Sequence, residues 1–375
     1  MTADATKSRS LRLAPFEATG GFIPSLNGLR AISIIIVFLS HTVNNKLFPG
    51  GFGVRVFFLI SGFLIARLLY VEWQQKSSIS LRSFYIRRFV RLYPLVIIYT
   101  AVILLIFAWR APDQIVWQEP ASALLYYANY YYSYLSQIGG TSGSMPFGTF
   151  WSLSVEEHFY IFFPVMFVLL QGDPRRMVAA SFALIVICLF LRCAVATIYP
   201  QLLPTHVFYF ETQYQIDSIA VGVALASLCE YDEGRSFLKS LFSRPAIVLA
   251  VAMLVAGFAI RSEFFRETVR YTIVSSALFI LLVNILFADG FSRIQSVLNI
   301  PIMDWIGRLS YSIYIWHFAV RSMLSFGPDH IWWNVALWTS VTLGVSAASY
   351  YFIERPISGM RHHFSYRVER QPATS

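Results

Sequence analysis

Charge is scarce in this chain. Its 375 residues include 29 lysines and arginines and 20 aspartates and glutamates, 13% in all, where a soluble domain carries about 25%. A water-soluble globule is excluded on that ground. Cysteine is scarcer still. Cys188, Cys193 and Cys229 sit in or beside apolar segments, without paired or metal-ligand spacing. They read as small hydrophobes, so neither a disulfide framework nor a metal site is expected. The first 27 residues hold no apolar run of signal-peptide type, which leaves the first apolar helix as the expected targeting signal.

Apolar residues fill the space that charge leaves: 57% of the chain is hydrophobic and 17% aromatic, with a mean hydropathy of +0.58. Apolar runs of about 20 residues match the thickness of a bilayer. They fall near 28–45, 51–71, 92–110, 150–170, 177–198, 206–229, 245–261, 271–288, 304–323 and 332–353. The pattern predicts an all-α, polytopic membrane helical bundle of about ten transmembrane helices in the cell inner (plasma) membrane. One membrane domain, 24–356, lies between polar segments 1–23 and 357–375.

The net charge of +9 does not call for nucleic acid, because the basic residues gather in alternate loops. Arg82, Arg87, Arg88, Arg91, Arg175, Arg176, Arg235 and Lys239 fall on one side, together with both termini. The other side and its edges hold Lys46, Arg55, Arg110, Arg261, Arg266, Arg270 and Arg321. The positive-inside rule then puts both termini in the cytoplasm. The longest outer segment, 111–149, carries the run ASALLYYANYYYSYL. It reads as a re-entrant or interfacial helix with a tyrosine belt.

Ionisable residues within a span are costly and are functional candidates by default. The first span carries two, Arg30 and His41. Eleven residues make about three turns, so the two side chains share one face, about 16 Å apart along the axis. Imidazole suits a general base, though a histidine hydrogen-bonded between helices reads as well. Before the third span, Arg87, Arg88 and Arg91 are spaced to converge on one ligand. Guanidinium groups bind phosphate bidentately; contact with anionic lipid is the plainer reading.

The fourth span opens FWSLSVEEHFY. Glu156 and Glu157, adjacent and entering the bilayer, are hard to explain as packing, and either is expected to orient His41 from the same membrane level. Ser152, Glu156 and Tyr160 share a face. Arg55 is a candidate partner for the two carboxylates, while Ser61 and Gly62 read as close packing. Ser310, Tyr314 and His317 form a stripe at i, i+4 and i+7 that suits a polar cavity or interhelical hydrogen bonds. Glu354 and Arg355 read as an end-cap ion pair.

In chain order, LNGLR-x10-H, G-V-x-V-F-F-x-I-S-G-F-L, R-R-x-x-R-L-Y-P, W-S-L-S-V-E-E-x-F-Y-x-x-x-P, S-Y-x-x-Y-x-x-H and E-R-P resemble the membrane acyltransferase-3 family. That family includes O-antigen, exopolysaccharide and Nod-factor O-acetyltransferases, and the resemblance covers about residues 24–356. It implies transfer of an acyl group, usually acetyl, from cytoplasmic acetyl-CoA or another acyl-CoA to a carbohydrate hydroxyl outside, without a metal. It implies that Arg30 and His41 form the motif required for activity, that Arg88 and Arg91 serve the donor, and that Glu156 lies in the motif closing the outer loop. Some members carry a C-terminal periplasmic esterase-like domain. This chain ends about twenty residues after Pro356, so transfer is expected to be direct or completed by a separate periplasmic partner.

The expected scheme docks the donor phosphates on Arg87, Arg88 and Arg91 and runs the acyl arm past Arg30 to His41. His41 then takes the acceptor proton, or carries the acyl group as a transient acyl-histidine. Arg55, Trp151, Ser152, Tyr160, Tyr314 and His317 are the expected substrate-binding residues. The rival reading is a transporter or flippase of a lipid-linked or soluble glycan. No paired broken helices of an inverted repeat support it.

Overall fold

The computed structural model describes residues 23–43, 47–139, 143–327 and 330–359. The expected polar termini fall outside the described residues, apart from Ile23 and 357–359. Among the described residues no strand occurs, and ten helices reach 16 residues or more. They are α1 (Leu26–Thr42), α2 (Gly50–Lys76), α3 (Leu81–Arg110), α4 (Phe150–Leu169) and α5 (Pro174–Ile198). α6 (Thr212–Leu228), α7 (Arg244–Ala259), α8 (Val269–Phe287), α9 (Pro301–Met323) and α10 (Ile331–Ser349) follow.

Nine of the ten expected apolar runs each fall on one of these helices. Polar caps set several of their starts. Asp173 accepts the Arg176 amide at 2.9 Å with Pro174 in the first turn of α5, and Ser243 does the same for Ala246 at 3.4 Å before α7. The run expected over 206–229 divides. A short helix, Val207–Phe210, precedes α6, because Glu211 takes an extended backbone and spends its carboxylate on Ser133 at 2.7 Å.

Among the described residues, five helices are long and apolar enough to cross a membrane: α2, α3, α4, α5 and α8. A sixth arises if the short helix Asp232–Ser240 and α7, which meet at 74°, form one broken span. The outward surface fits a lipid environment. Leu105, Trp109, Phe162, Leu169, Phe182, Phe190 and Val248 are all more than half exposed, far more apolar area than a soluble monomer shows.

α6 lies at the centre, packed on α2 and α5, while α9 packs along α1. The α2–α6 crossing is very close. A Cβ on Gly62 would lie 2.0 Å from the Ile219 carbonyl oxygen, and one on Gly222 2.0 Å from that of Leu59. Small residues permit this approach, and Phe58, Phe63, Phe163, Phe167 and Ile219 pack around it. Among the described residues of the segment 111–149, two short α-helices, Gln118–Leu124 and Ala128–Gln137, pack against the bundle. Buried Glu119 ties this segment together. Its carboxylate accepts the amides of Ser144 (2.8 Å) and Met145 (3.2 Å) and the Tyr132 hydroxyl (3.0 Å).

Candidate active site

Two cavities open within the bundle, one above the other along α1. α1 begins beside the short helix Ser292–Leu298 and the start of α9. Ser25 donates its amide to Asn299 at 2.7 Å, and Asn27 donates to Asp304 at 2.8 Å. Gly307 lets the chains meet, since a Cβ there would lie 2.0 Å from the Asn27 carbonyl oxygen. The register of α1 against α9 is thereby fixed. Arg30 is held near one end of the pair and His41 near the other.

The arginine cavity has a volume of about 350 Å³. α1 contributes Arg30, α3 contributes Arg88 and Arg91, and α4 contributes Glu156 and Tyr160. Glu156 accepts Ser61 Oγ at 2.9 Å and the Tyr160 hydroxyl at 3.2 Å. The Arg88 guanidinium lies 4.7 Å from the centroid of the Tyr160 ring. Three guanidinium groups and one carboxylate line the space, so it favours a polyanion. Ser61, read from sequence as packing, is a hydrogen-bond donor here.

Three expectations are corrected at this end. Arg87 does not line this cavity with its neighbours, because Glu72 on α2 captures it at 2.8 Å. Glu157 lines a separate lateral cavity of about 310 Å³ with Arg88, Tyr126 and Tyr160. Arg55 pairs with neither glutamate. It donates to Ser218 at 2.9 Å and Gln215 at 3.1 Å and stacks over Tyr271, outside both cavities. Nearby, Arg192 and Asp217 form a fully buried ion pair at 2.7 Å.

The histidine cavity has a volume of about 430 Å³. His41, Tyr132, Trp151, Tyr209, Tyr314 and Arg321 are among its walls. The Trp151 ring packs on Tyr209 with centroids 4.5 Å apart. His41 is not oriented by Glu156 or Glu157. α4 starts deep in the fold, beneath the segment 111–149, so Glu156 lies in the cavity of Arg30. His41 is hydrogen-bonded to the Val37 backbone carbonyl one turn back, and its side-chain partner is His317, with His41 Nδ1 3.0 Å from His317 Nε2.

The hydrogen-bond network assigns the protons of this pair. His317 Nδ1 faces two carbonyl oxygens, Tyr314 at 2.8 Å and Ile313 at 3.1 Å, so it carries hydrogen. In a neutral ring Nε2 is then an acceptor. His41 therefore donates from Nδ1 to His317, and its own Nε2 keeps a free lone pair. His317 is fully buried and stands behind the cavity wall rather than in it. The stripe of Ser310, Tyr314 and His317 extends one turn further to Arg321, and that continuation was the available sign of Arg321. At the chain's far end Glu354 accepts a hydrogen bond from Ser312.

The family model described as an acyltransferase domain matches residues 23–354. The chain belongs to the acyltransferase-3 family. Among curated members, a peptidoglycan O-acetyltransferase of Listeria monocytogenes serovar 1/2a is 28% identical over 358 residues, 90% of this chain and 56% of that protein. A putative O-acetyltransferase of Staphylococcus aureus (strain COL) is 30% identical over 355 residues, 89% of this chain and 57% of that one. A putative peptidoglycan O-acetyltransferase of Bacillus subtilis (strain 168) is 29% identical over 379 residues, 94% and 58%. The chain thus spans less than three fifths of the length of these relatives. No solved structure matches it.

Proposed function

We propose that this chain is a membrane O-acetyltransferase, moving an acetyl group from acetyl-CoA to a hydroxyl of a cell-envelope carbohydrate. The observation that carries the reading is the stacking of two unlike cavities along α1. One is cationic, and the other holds an imidazole with a free lone pair. In this reading the ten long helices traverse the membrane together. The arginine end faces the cytoplasm, by the excess of Arg and Lys in the loops at that end. The related proteins named as peptidoglycan O-acetyltransferases favour a peptidoglycan sugar over O-antigen or exopolysaccharide.

Arg88 and Arg91 would hold the phosphates of the donor, and Arg30 would receive the donor arm above them. The donor supplies an activated acyl thioester. His41 Nε2 removes the proton of the acceptor hydroxyl as that oxygen bonds to the acyl carbon. His317 accepts the Nδ1 hydrogen of His41 and so steadies the imidazolium that forms. Arg321 is the nearest fixed cation for the oxyanion. The C–S bond then breaks, the thiolate leaves with the electron pair, and His41 returns its proton to it.

Mass spectrometry of surface glycans tests this reading. Cells making the wild type, the His41→Ala variant or no protein are compared. An acetyl-sized mass on a sugar hydroxyl is expected with wild type alone. Identical glycans in all three, with a changed distribution of lipid-linked sugars, would transfer the assignment to a flippase.

A further inference from the structure

The two cavities adjoin along a shared layer of side chains. Val54 and Tyr314 line both. On α4, consecutive residues face opposite sides of the layer: Ser152 the arginine cavity and Trp151 the histidine cavity. The Tyr314 ring is held across the boundary by its hydroxyl. That hydroxyl lies 2.6 Å from Ser152 Oγ and donates to the Thr149 carbonyl at 3.0 Å. With its hydrogen on Thr149, the Tyr314 oxygen accepts from Ser152.

Any group passing from the arginine side to His41 must cross this layer. Val54 is a helix side chain with no polar bond to release. Tyr314 can rotate about χ1 once two hydrogen bonds break. Its backbone carbonyl meanwhile accepts from His317 Nδ1, so the position that carries the movable ring also anchors the pair that orients the base.

We infer that Tyr314 is the door between the donor and acceptor cavities, latched by Ser152 and Thr149 and displaced when an acyl thioester is pushed toward His41. The word acyl here rests on the acetyltransferase reading; the door itself does not. With Tyr314 in place, water and solutes in the histidine cavity are kept from the arginine cavity.

Cysteine labelling in oriented membrane vesicles tests the door without any donor. Leu64 lines the arginine cavity and Leu135 the histidine cavity. The full-length protein carries Leu64→Cys or Leu135→Cys, and a membrane-impermeant maleimide is added from the histidine side. Labelling of the chain lacking the introduced cysteine is subtracted. With Tyr314 intact, Leu135→Cys is expected to label quickly and Leu64→Cys slowly. Tyr314→Ala should bring Leu64→Cys close to the rate of Leu135→Cys. Tyr314→Phe keeps the ring and loses the latch, and should speed Leu64→Cys by about fivefold, the population shift expected from a lost buried hydrogen bond. An unchanged Leu135→Cys rate in both variants shows that the fold is intact.

The door is refuted if Leu64→Cys labels from the histidine side as fast as Leu135→Cys while Tyr314 is present. It is also refuted if neither Tyr314 variant changes the Leu64→Cys rate. Because no donor or acceptor is added, either failure would leave the acetyltransferase reading standing, and that reading is decided separately by the glycan masses.

Discussion

At the residue scale the proposed chemistry rests on His41 and on what surrounds it. The spacing of Arg30 and His41 on one helix face was legible from helical periodicity alone, and both residues line the cavities along α1. The partner of His41 was not legible. It depends on the depth at which α4 begins, which the folded segment 111–149 sets, and on the register of α9 against α1. His41→Ala is expected to lower kcat by about 10²–10⁴, the range for a lost general base. His317→Ala should lower kcat by about 10² while leaving donor KM near its original value, because it removes only the group that fixes the His41 tautomer. Measuring kcat and KM with acetyl-CoA in detergent separates the two roles. If His317→Ala raised KM alone, His317 would be a substrate contact after all.

The basic residues of α3 make a second residue-scale contrast. Sequence spacing treats Arg87, Arg88 and Arg91 alike, since i,i+3 and i,i+4 pairs are both neighbours on a helix. Glu72 on another helix separates them, and no local pattern announces that. Arg88→Ala and Arg91→Ala are each expected to raise donor KM about tenfold, near the loss of one charge-assisted hydrogen bond. Arg87→Ala should leave donor KM unchanged and lower thermal stability slightly, as partly exposed ion pairs do. A KM change of the same size in all three variants would return Arg87 to the donor site.

At the element scale the ten long helices follow directly from the apolar runs, because a sustained apolar run of that length favours a helix. Breaks inside a run were harder to read. The interruption before α6 comes from Glu211, whose carboxylate binds Ser133 more than seventy residues away. Close crossings were legible only as small residues. At the α1–α9 crossing, Gly307→Ala should cost about 1–3 kcal/mol by overpacking against the Asn27 carbonyl. It should also lower activity, because the same crossing sets the distance between His41 and His317. Thermal unfolding in detergent alongside turnover measures both. A variant as stable and as active as wild type would mean that α9 shifts freely against α1.

At the scale of the whole molecule, the fold places a cationic cavity at one end of α1 and an oriented imidazole toward the other. Tyr314 and Val54 lie between them. That arrangement suits a reaction whose two substrates approach from opposite sides. Hydropathy made the all-helical bundle readable. The division into two cavities was not, since Trp151 and Ser152 are neighbours in sequence and only the packed helices put them on opposite sides of one layer. The most direct measurement uses sealed proteoliposomes of known orientation, with labelled acetyl-CoA on the arginine side and a soluble peptidoglycan fragment on the histidine side. Label is expected on the fragment, on the side opposite to the CoA, and not with His41→Ala. Label on the fragment only when both substrates share one side would contradict transfer across the bundle.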